Sequence, residues 1–316
     1  MRLFRHFDSV PPDARGAVLA LGNFDGVHRG HQAVIAEAGR IAERLGAATG
    51  VVTFEPHPRS VFRPDDPPFR LTPLRAKAHQ LEALGVQLMV SLHFDRAFAA
   101  RTAENFVSEV LHQSLAPRHI VSGYDFVFGQ GRKGDAALLE KMGAKLGFGV
   151  TIVAPVAAGS GAVFSSTSIR EHLQAGEPRQ AAELLGRFWE IEGRVEHGDA
   201  RGRTIGFPTA NVGLSDYLRP APGVYAVRAG IERPDGVVWH GAIANLGMRP
   251  TVNGTDLRLE AHLLDFAGDL YGQHLRVAFV DRIRPEQKFA GLDALKVQIA
   301  RDVETARAIH KIENES

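Results

Sequence analysis

The chain has 316 residues, 44% hydrophobic and 23% charged, which suits about two compact domains and excludes a disordered or fibrous protein. It has no cysteine, so disulfides, thiolate catalysis, thiolate zinc sites and iron–sulfur ligation are excluded, and any chemistry falls to oxygen and nitrogen groups. Lys plus Arg (37) and Asp plus Glu (36) nearly cancel, so no global field is available for a nucleic acid or an anionic membrane, while a local phosphate site stays open.

The opening MRLFRHFDSVPPDARG scatters charges among its apolar residues and has no signal-peptide core. No later apolar run approaches the roughly 18 residues of a membrane span, so a cytoplasmic enzyme with no membrane partner is expected. From residue 17, short β-rich runs alternate with helical patterns. AVLALG (17–22), GVVTF (50–54), VQLMVSL (86–92), HIVSG (119–123) and FGVTIV (148–153) read as strands. Between the first two, residues 31–45 carry Val34, Ile35, Ala38, Ile41, Ala42 and Leu45 at helical spacing, forming one apolar face. Residues 73–85, 102–112 and 134–147 are further helices, with Thr102 and Asp135 as N-caps. Near-continuous apolar strands imply burial on both faces, hence a parallel sheet covered by helices.

A helical stretch over 170–185 leads to a boundary near Gly186, so the expected domains are 1–185 and 186–316. Beyond it, FWEIEGRVEHG, GVYAVRAGI, VVWHGAIANLG, LRLEAHLLDF and HLRVAFVDRI are strands separated by Gly, Pro and Asp turns, which reads as an antiparallel barrel or sandwich. Residues 292–312 form a terminal helix.

The strongest local signal is GNFDGVHRGHQ (22–32), placed between the first strand and the first helix. A glycine-rich strand-to-helix turn lets backbone amides approach phosphate oxygens, and the helix N-terminus adds about half a positive charge. His28 and His31 can aim two imidazoles at one phosphate. The segment resembles the HxGH signature of the nucleotidyltransferase superfamily, and its longer form is similar to that of bacterial FAD synthetases. The resemblance implies a Rossmann-like α/β nucleotidyltransferase domain. It also implies that Gly22, Asn23, Phe24, Asp25 and Gly30 bind ATP while His28 and His31 stabilise charge building on the α-phosphate.

FSSTSIR (164–170) resembles the second nucleotide motif of that superfamily, with Ser165, Ser166, Thr167 and Arg170 as ATP-binding groups. TFEPHP (53–58) with Phe62, and GYDFVFG (123–129), resemble the family's flavin-side segments. They imply His57, Phe62, Asp125 and Phe128 as flavin-binding residues, while ordinary core packing of aromatics competes for Phe54, Phe62, Phe126 and Phe128. Val127 departs from the family pattern, where a longer, often basic residue is expected. GQGRKG (129–134) fits G-x-G-x-x-G but lacks the strand and the acidic residue that a dinucleotide site needs, and reads as a mobile loop carrying Arg132 and Lys133.

GDARGRTIGFPTAN (198–211) looks like the signature of riboflavin kinases, and the similarity continues through residues 244–266, 269–272 and 283–299. It implies that the second domain is an all-β antiparallel barrel of the riboflavin kinase family with a C-terminal helix. Thr209 and Asn211 would bind Mg2+ and ATP phosphates, both being hard oxygen donors. Glu260 would take the proton from the ribityl 5'-hydroxyl. Gly198, Gly202, Arg203 and Gly206 would form a flap over ATP, with Pro208 among the ATP-binding positions. Strand alternation leaves Glu260 opposite Leu259, and a solvent-facing structural role for it stays open.

Together the resemblances imply a bifunctional enzyme of flavin cofactor biosynthesis, phosphorylating riboflavin to FMN and adenylylating FMN to FAD with release of pyrophosphate. ATP would be the co-substrate, FMN and FAD product ligands and Mg2+ the metal, in a monomer or weak homo-oligomer that binds no nucleic acid. A single-activity enzyme and a flavin-binding module without turnover are the alternatives.

Overall fold

A computed structural model describes residues 1–156, 163–197, 206–214, 216–251 and 254–315. The chain divides into two compact units, Met1–Pro67 with Thr72–Ser165 and Pro68–Leu71 with Ser166–Ser316.

In the first unit the apolar runs become strands β2 (Val18–Leu21), β3 (Thr49–Glu55), β4 (Leu88–His93), β5 (His119–Gly123) and β6 (Gly149–Val153). A further strand, β1 (Arg2–Phe4), lies within the opening segment that showed no strand pattern, and pairs with β4. The resulting sheet is parallel in every pairing, with order β1-β4-β3-β2-β5-β6. Both faces are packed, as the unbroken apolar runs require. Val18, Ala20, Val51, Met89 and Val121 face helix α1 (Arg29–Leu45), while Leu19, Leu21, Val52, Val90 and Ile120 face the helical segment Phe106–Leu115. On α1 the expected stripe is buried from Val34 to Ala42, but Leu45 is exposed in the last turn, before Gly46 ends the helix.

The expected helix over 102–112 is a short α-helical turn, capped by Thr102 accepting from the Asn105 amide, that passes into a π-helix over Phe106–Leu115. Asp135 likewise caps Ala136–Leu146 by accepting from the Leu138 amide.

The second unit is a closed antiparallel barrel of order β10-β11-β8-β7-β12-β9. Its strands are β7 (Trp189–Glu196), β8 (Ala210–Gly213), β9 (Gly223–Arg233), β10 (Gly236–Thr251), β11 (Gly254–Leu263) and β12 (His274–Arg284). Strand β8 had no counterpart among the expected runs. Trp189, Ile191, Val212, Tyr225, Leu259, Ala261 and Phe279 fill the interior by period-two alternation. The terminal helix runs from Leu292 to Glu315.

The stretch 170–185 is two helices, Ser166–Ala175 and Pro178–Leu185, broken at Gly176, whose φ of +80° suits glycine alone. Both belong to the barrel unit, where Arg179 pairs with Asp281 and Glu313 at 2.6 Å each. The same unit takes in Pro68–Leu71: the buried Trp189 donates its indole N–H to the Leu71 carbonyl at 2.9 Å, and the Leu218 amide donates to the Arg70 carbonyl at 2.8 Å. Among the described residues no helix is long and apolar enough to cross a membrane.

Candidate functional site

In the first unit the chain moves from β2 out to β3 and β4 on one side and reaches β5 and β6 on the other. The C-terminal ends of β2 and β5 therefore flank a topological switch point, where open α/β sheets bind ligands. The segment Gly22–Val27 lies there, between β2 and α1. Phe24 and Val27 adopt φ of 48° and 45°, a left-handed conformation that is costly for a bulky or β-branched side chain.

Several polar contacts hold that turn. The Asn23 carbonyl accepts from Lys77 Nζ at 2.8 Å and from Thr53 Oγ1 at 3.0 Å. Asp25, 2% exposed, accepts from the Thr72 amide at 3.0 Å, and the Gly26 amide donates to Thr72 Oγ1 at 2.8 Å. Asn23 Oδ1 and, at the end of β5, Ser122 Oγ are buried with no hydrogen-bond partner among the described residues.

His28 is the N-cap of α1, and its Nδ1 accepts from the His31 amide at 3.3 Å. With Nδ1 as acceptor, the neutral ring carries its proton on Nε2, the kind of donor a phosphate oxygen accepts. The His28 and His31 rings stack with centroids 3.6 Å apart, and Phe24 meets His31 edge-on at 5.2 Å. The two histidines are thus one unit at a helix N-terminus. Gly30 packs closely against the pair: a Cβ there would stand 3.1 Å from the His28 ring, tight enough to shift it slightly, and 3.6 Å from Phe164 Cβ. Phe164 brings the chain against the first turn of α1 just before Ser165. Ser166, Thr167 and Arg170 open the next helix, in the second unit, where Arg170 Nε donates to the Phe69 carbonyl at 2.9 Å.

Of the flavin-side residues, His57 caps the one-turn helix Pro58–Phe62 by accepting from the Arg59 amide, and the Phe62 ring is 59% exposed. Phe54 and Phe128 are core residues, each 6% exposed. Aromatic contacts nevertheless run continuously from Phe62 through Phe94, Phe98 and Phe106 to Phe128 and Phe126, with successive centroids 5.5–6.2 Å apart. Asp125 is exposed beside this chain. The loop bearing Arg132 and Lys133 is closed by reciprocal hydrogen bonds between the Phe128 and Gly134 backbones, at 2.9 and 3.0 Å.

In the barrel, Leu257, Leu259, Ala261 and Leu263 point inward, so Glu260 lies on the outer face of β11. Its register partner on β8 is Asn211, and on β10 it is Asn245. Asn211 in turn pairs with Glu196 on β7. Directly opposed residues have Cβ atoms about 4.5–5.5 Å apart, so Asn245, Glu260, Asn211 and Glu196 form one polar rung across four strands. Asn211 is 8% exposed despite facing outward, and Thr209 is half-buried just before β8.

His262, two residues beyond Glu260, donates from Nδ1 to the Pro208 carbonyl at 2.8 Å and meets Phe207 edge-on, which anchors the Pro208–Asn211 segment. Gly247 lets the Glu286 carboxylate come alongside Asn245, since a Cβ there would collide with Glu286 Oε1. Gly206 is exposed, and Gly198, Gly202 and Arg203 lie outside the described residues.

Lys77, Thr53, Thr72 and Ser122 in the first unit, and Asn245, Glu196 and His262 in the second, escaped the sequence reading. Lys77 left one signal, because it replaces an apolar residue on the stripe that continues to Leu81. The others become visible only through strand register.

Residues 10–168 match the family model for FAD synthetase, and residues 185–310 match that for riboflavin kinase. The chain is 47% identical to a bifunctional riboflavin kinase/FMN adenylyltransferase of Escherichia coli over 97% of each chain. It is 44% identical to the Pseudomonas fluorescens protein of the same description over 98% of each. Among solved structures, a Streptococcus pneumoniae chain described as a macrolide-efflux protein superposes with a TM-score of 0.84 at 33% identity, covering 97% of this chain and 98% of that one.

Proposed function

The chain belongs to the family of bifunctional riboflavin kinases/FMN adenylyltransferases, and from that premise we propose which of its residues run the two reactions. Its activities are phosphorylation of riboflavin by ATP and adenylylation of FMN by ATP to give FAD.

Adenylylation is assigned to the Gly22–His31 turn. A phosphate oxygen of FMN attacks the α-phosphorus of ATP, and pyrophosphate departs. Negative charge grows on the non-bridging oxygens, so catalysis needs fixed donors and little covalent help. His28 and His31 supply those donors, the N-terminus of α1 adds positive potential, and Asn23, Ser165, Ser166, Thr167 and Arg170 bind the nucleotide. His57, Phe62 and Asp125 take the flavin side, with Phe128 supporting the ring site from the core.

The stacked histidine pair at a strained strand-to-helix turn carries this assignment. Removing one transition-state donor typically costs about 100- to 1,000-fold in kcat. His28→Ala and His31→Ala are therefore expected to lose FAD formation by that factor and to keep FMN formation. Loss of both activities in a folded chain would refute separable sites.

Phosphorylation is assigned to the outer polar rung of the barrel. Glu260 accepts the proton of the ribityl 5'-hydroxyl as that oxygen attacks the γ-phosphorus of ATP and ADP leaves. Asn211, its register partner, and Thr209 bind the phosphates, with Gly202, Arg203, Gly206 and Pro208 covering them. A hydroxyl and an amide oxygen beside a carboxylate suit Mg2+, which takes few protein ligands and neutralises phosphate charge when bound. Thr209 and Asn211 would hold it. The boundary between the two activities is placed near Gly186, with the kinase model beginning at residue 185 in support. We place the enzyme in the cytoplasm as a monomer or weak homo-oligomer.

A further inference from the structure

We infer that Lys77 is a positioning residue for adenylylation, registering the ATP turn against the strand that leads into the flavin segment. The inference rests on reading Gly22–His31 as the adenylylation site. Lys77 lies in the first turn of the helix Leu74–Ala83 and is fully buried, at 0% exposure. Its ammonium donates to the Asn23 carbonyl at 2.8 Å, to Thr53 Oγ1 at 3.1 Å and to Glu55 Oε1 at 3.2 Å. An ammonium has three protons and can serve these three acceptors together. Lys77 is thus engaged by one backbone and two side-chain oxygens, and acts through the pieces it joins rather than on the phosphate.

The three acceptors belong to two different pieces of the site. Asn23 is in the phosphate turn, whereas Thr53 and Glu55 are at the end of β3, immediately before Pro56, His57 and Pro58. One buried cation thus ties the nucleotide side to the flavin side. Polar satisfaction does not explain its presence, because Thr53 Oγ1 already donates to the Asn23 carbonyl at 3.0 Å and Glu55 retains 17% side-chain exposure to water. Net stability is a weak reason as well, since a buried ion pair with both partners replaced by apolar groups of similar size is often neutral or better. What only the ammonium provides is a three-point span that fixes the spacing of the two pieces.

Such a span matters at the moment of reaction. Misplacing two bound reactants by about 1 Å costs on the order of 100-fold in rate. It leaves the contacts that bind each reactant largely in place.

The test is Lys77→Met in the full chain, assayed for FAD formation from FMN and ATP, with thermal melting and riboflavin phosphorylation measured on the same sample. The expected result is a kcat for FAD formation lowered about 100-fold, KM values for ATP and FMN within about threefold and kinase kinetics unchanged, in a chain that melts lower from the loss of one member of a buried pair but is folded at the assay temperature. A kcat within threefold of the parent, or a rise confined to KM, overturns the inference.

If the Met variant does not fold, Lys77→Gln is read in the same way, since it keeps a donor without the span. Failure of both to fold assigns Lys77 to stability and also overturns it. His31→Ala is measured in parallel. If that variant retains FAD formation, the reading of the turn itself has failed; if it loses FAD formation while Lys77→Met does not, only the inference about Lys77 has failed.

Discussion

Glu260→Gln isolates the kinase chemistry from the fold. The side chain lies on the outer face of β11, so the substitution leaves the inward Leu257, Leu259, Ala261 and Leu263 untouched. Glutamine has the same length and retains an oxygen acceptor toward the rung formed with Asn211 and Asn245, so the stability change is expected within about 0.5 kcal/mol. What it loses is the ability to take a proton. General-base assistance is worth roughly 100- to 10,000-fold, equivalent to about 2.7–5.4 kcal/mol of barrier at 1.36 kcal/mol per tenfold.

Glu196 offers little compensation. It lies two strands from Glu260, with Asn211 between them, which is about 9.5 Å of backbone separation at the usual strand spacing. Initial rates of FMN formation from riboflavin, measured by separating the flavins, should therefore fall at least 100-fold, with FAD formation from supplied FMN unchanged. A kcat for phosphorylation within threefold of the parent, in a variant with unchanged melting, would refute the assignment of Glu260 as base.

A fragment beginning at Gly186 should still phosphorylate riboflavin. It should nonetheless melt at least about 5 °C below one beginning at Ser166, because it loses the buried Ile169, Leu173, Ala181 and Leu185; equal melting temperatures would show that those helices contribute nothing to the barrel unit. Chelating divalent cations with EDTA should stop both reactions and added Mg2+ should restore them, and turnover persisting in excess chelator would remove the metal from the mechanism. His119, bonded to Thr151 Oγ1 at 2.8 Å, is held below its ordinary value of 6.5, first by burial and then by the Arg44 charge. The unfolded chain therefore takes up this proton first as pH falls through 6.5, and stability drops until the folded ring is protonated as well. His119→Gln should flatten that part of a denaturation-versus-pH curve, and an unaltered slope would contradict the sign.

The parts of this fold legible in the sequence are those set by local pattern. His119–Gly123 appears as a strand because its apolar run is short and bounded, and Thr102 and Asp135 appear as caps because each precedes a periodic segment. Strand β1 escaped because three residues, Arg2, Leu3 and Phe4, are too short for a period and gain their meaning only by pairing with β4. Strand β8 escaped because four residues ending a nucleotide motif carry no period of their own. Yet it is β8 that brings Asn211 opposite Glu260.

The histidine pair was legible in the same way, since i and i+3 spacing at a helix start forces proximity. The ties at Lys77, Thr53 and Thr72 are long-range contacts with no sequence period. Chain order likewise does not reveal that Arg170 and Arg179, on the helices Ser166–Ala175 and Pro178–Leu185, bond within the barrel unit.

The central claim is that one chain carries both activities at separate sites. It is tested most directly by incubating the purified protein with riboflavin, ATP and Mg2+ and resolving the flavins by chromatography over time. FMN should appear first and FAD should follow at its expense. FMN alone would contradict the first unit's adenylylation site, and neither product would contradict the enzyme itself.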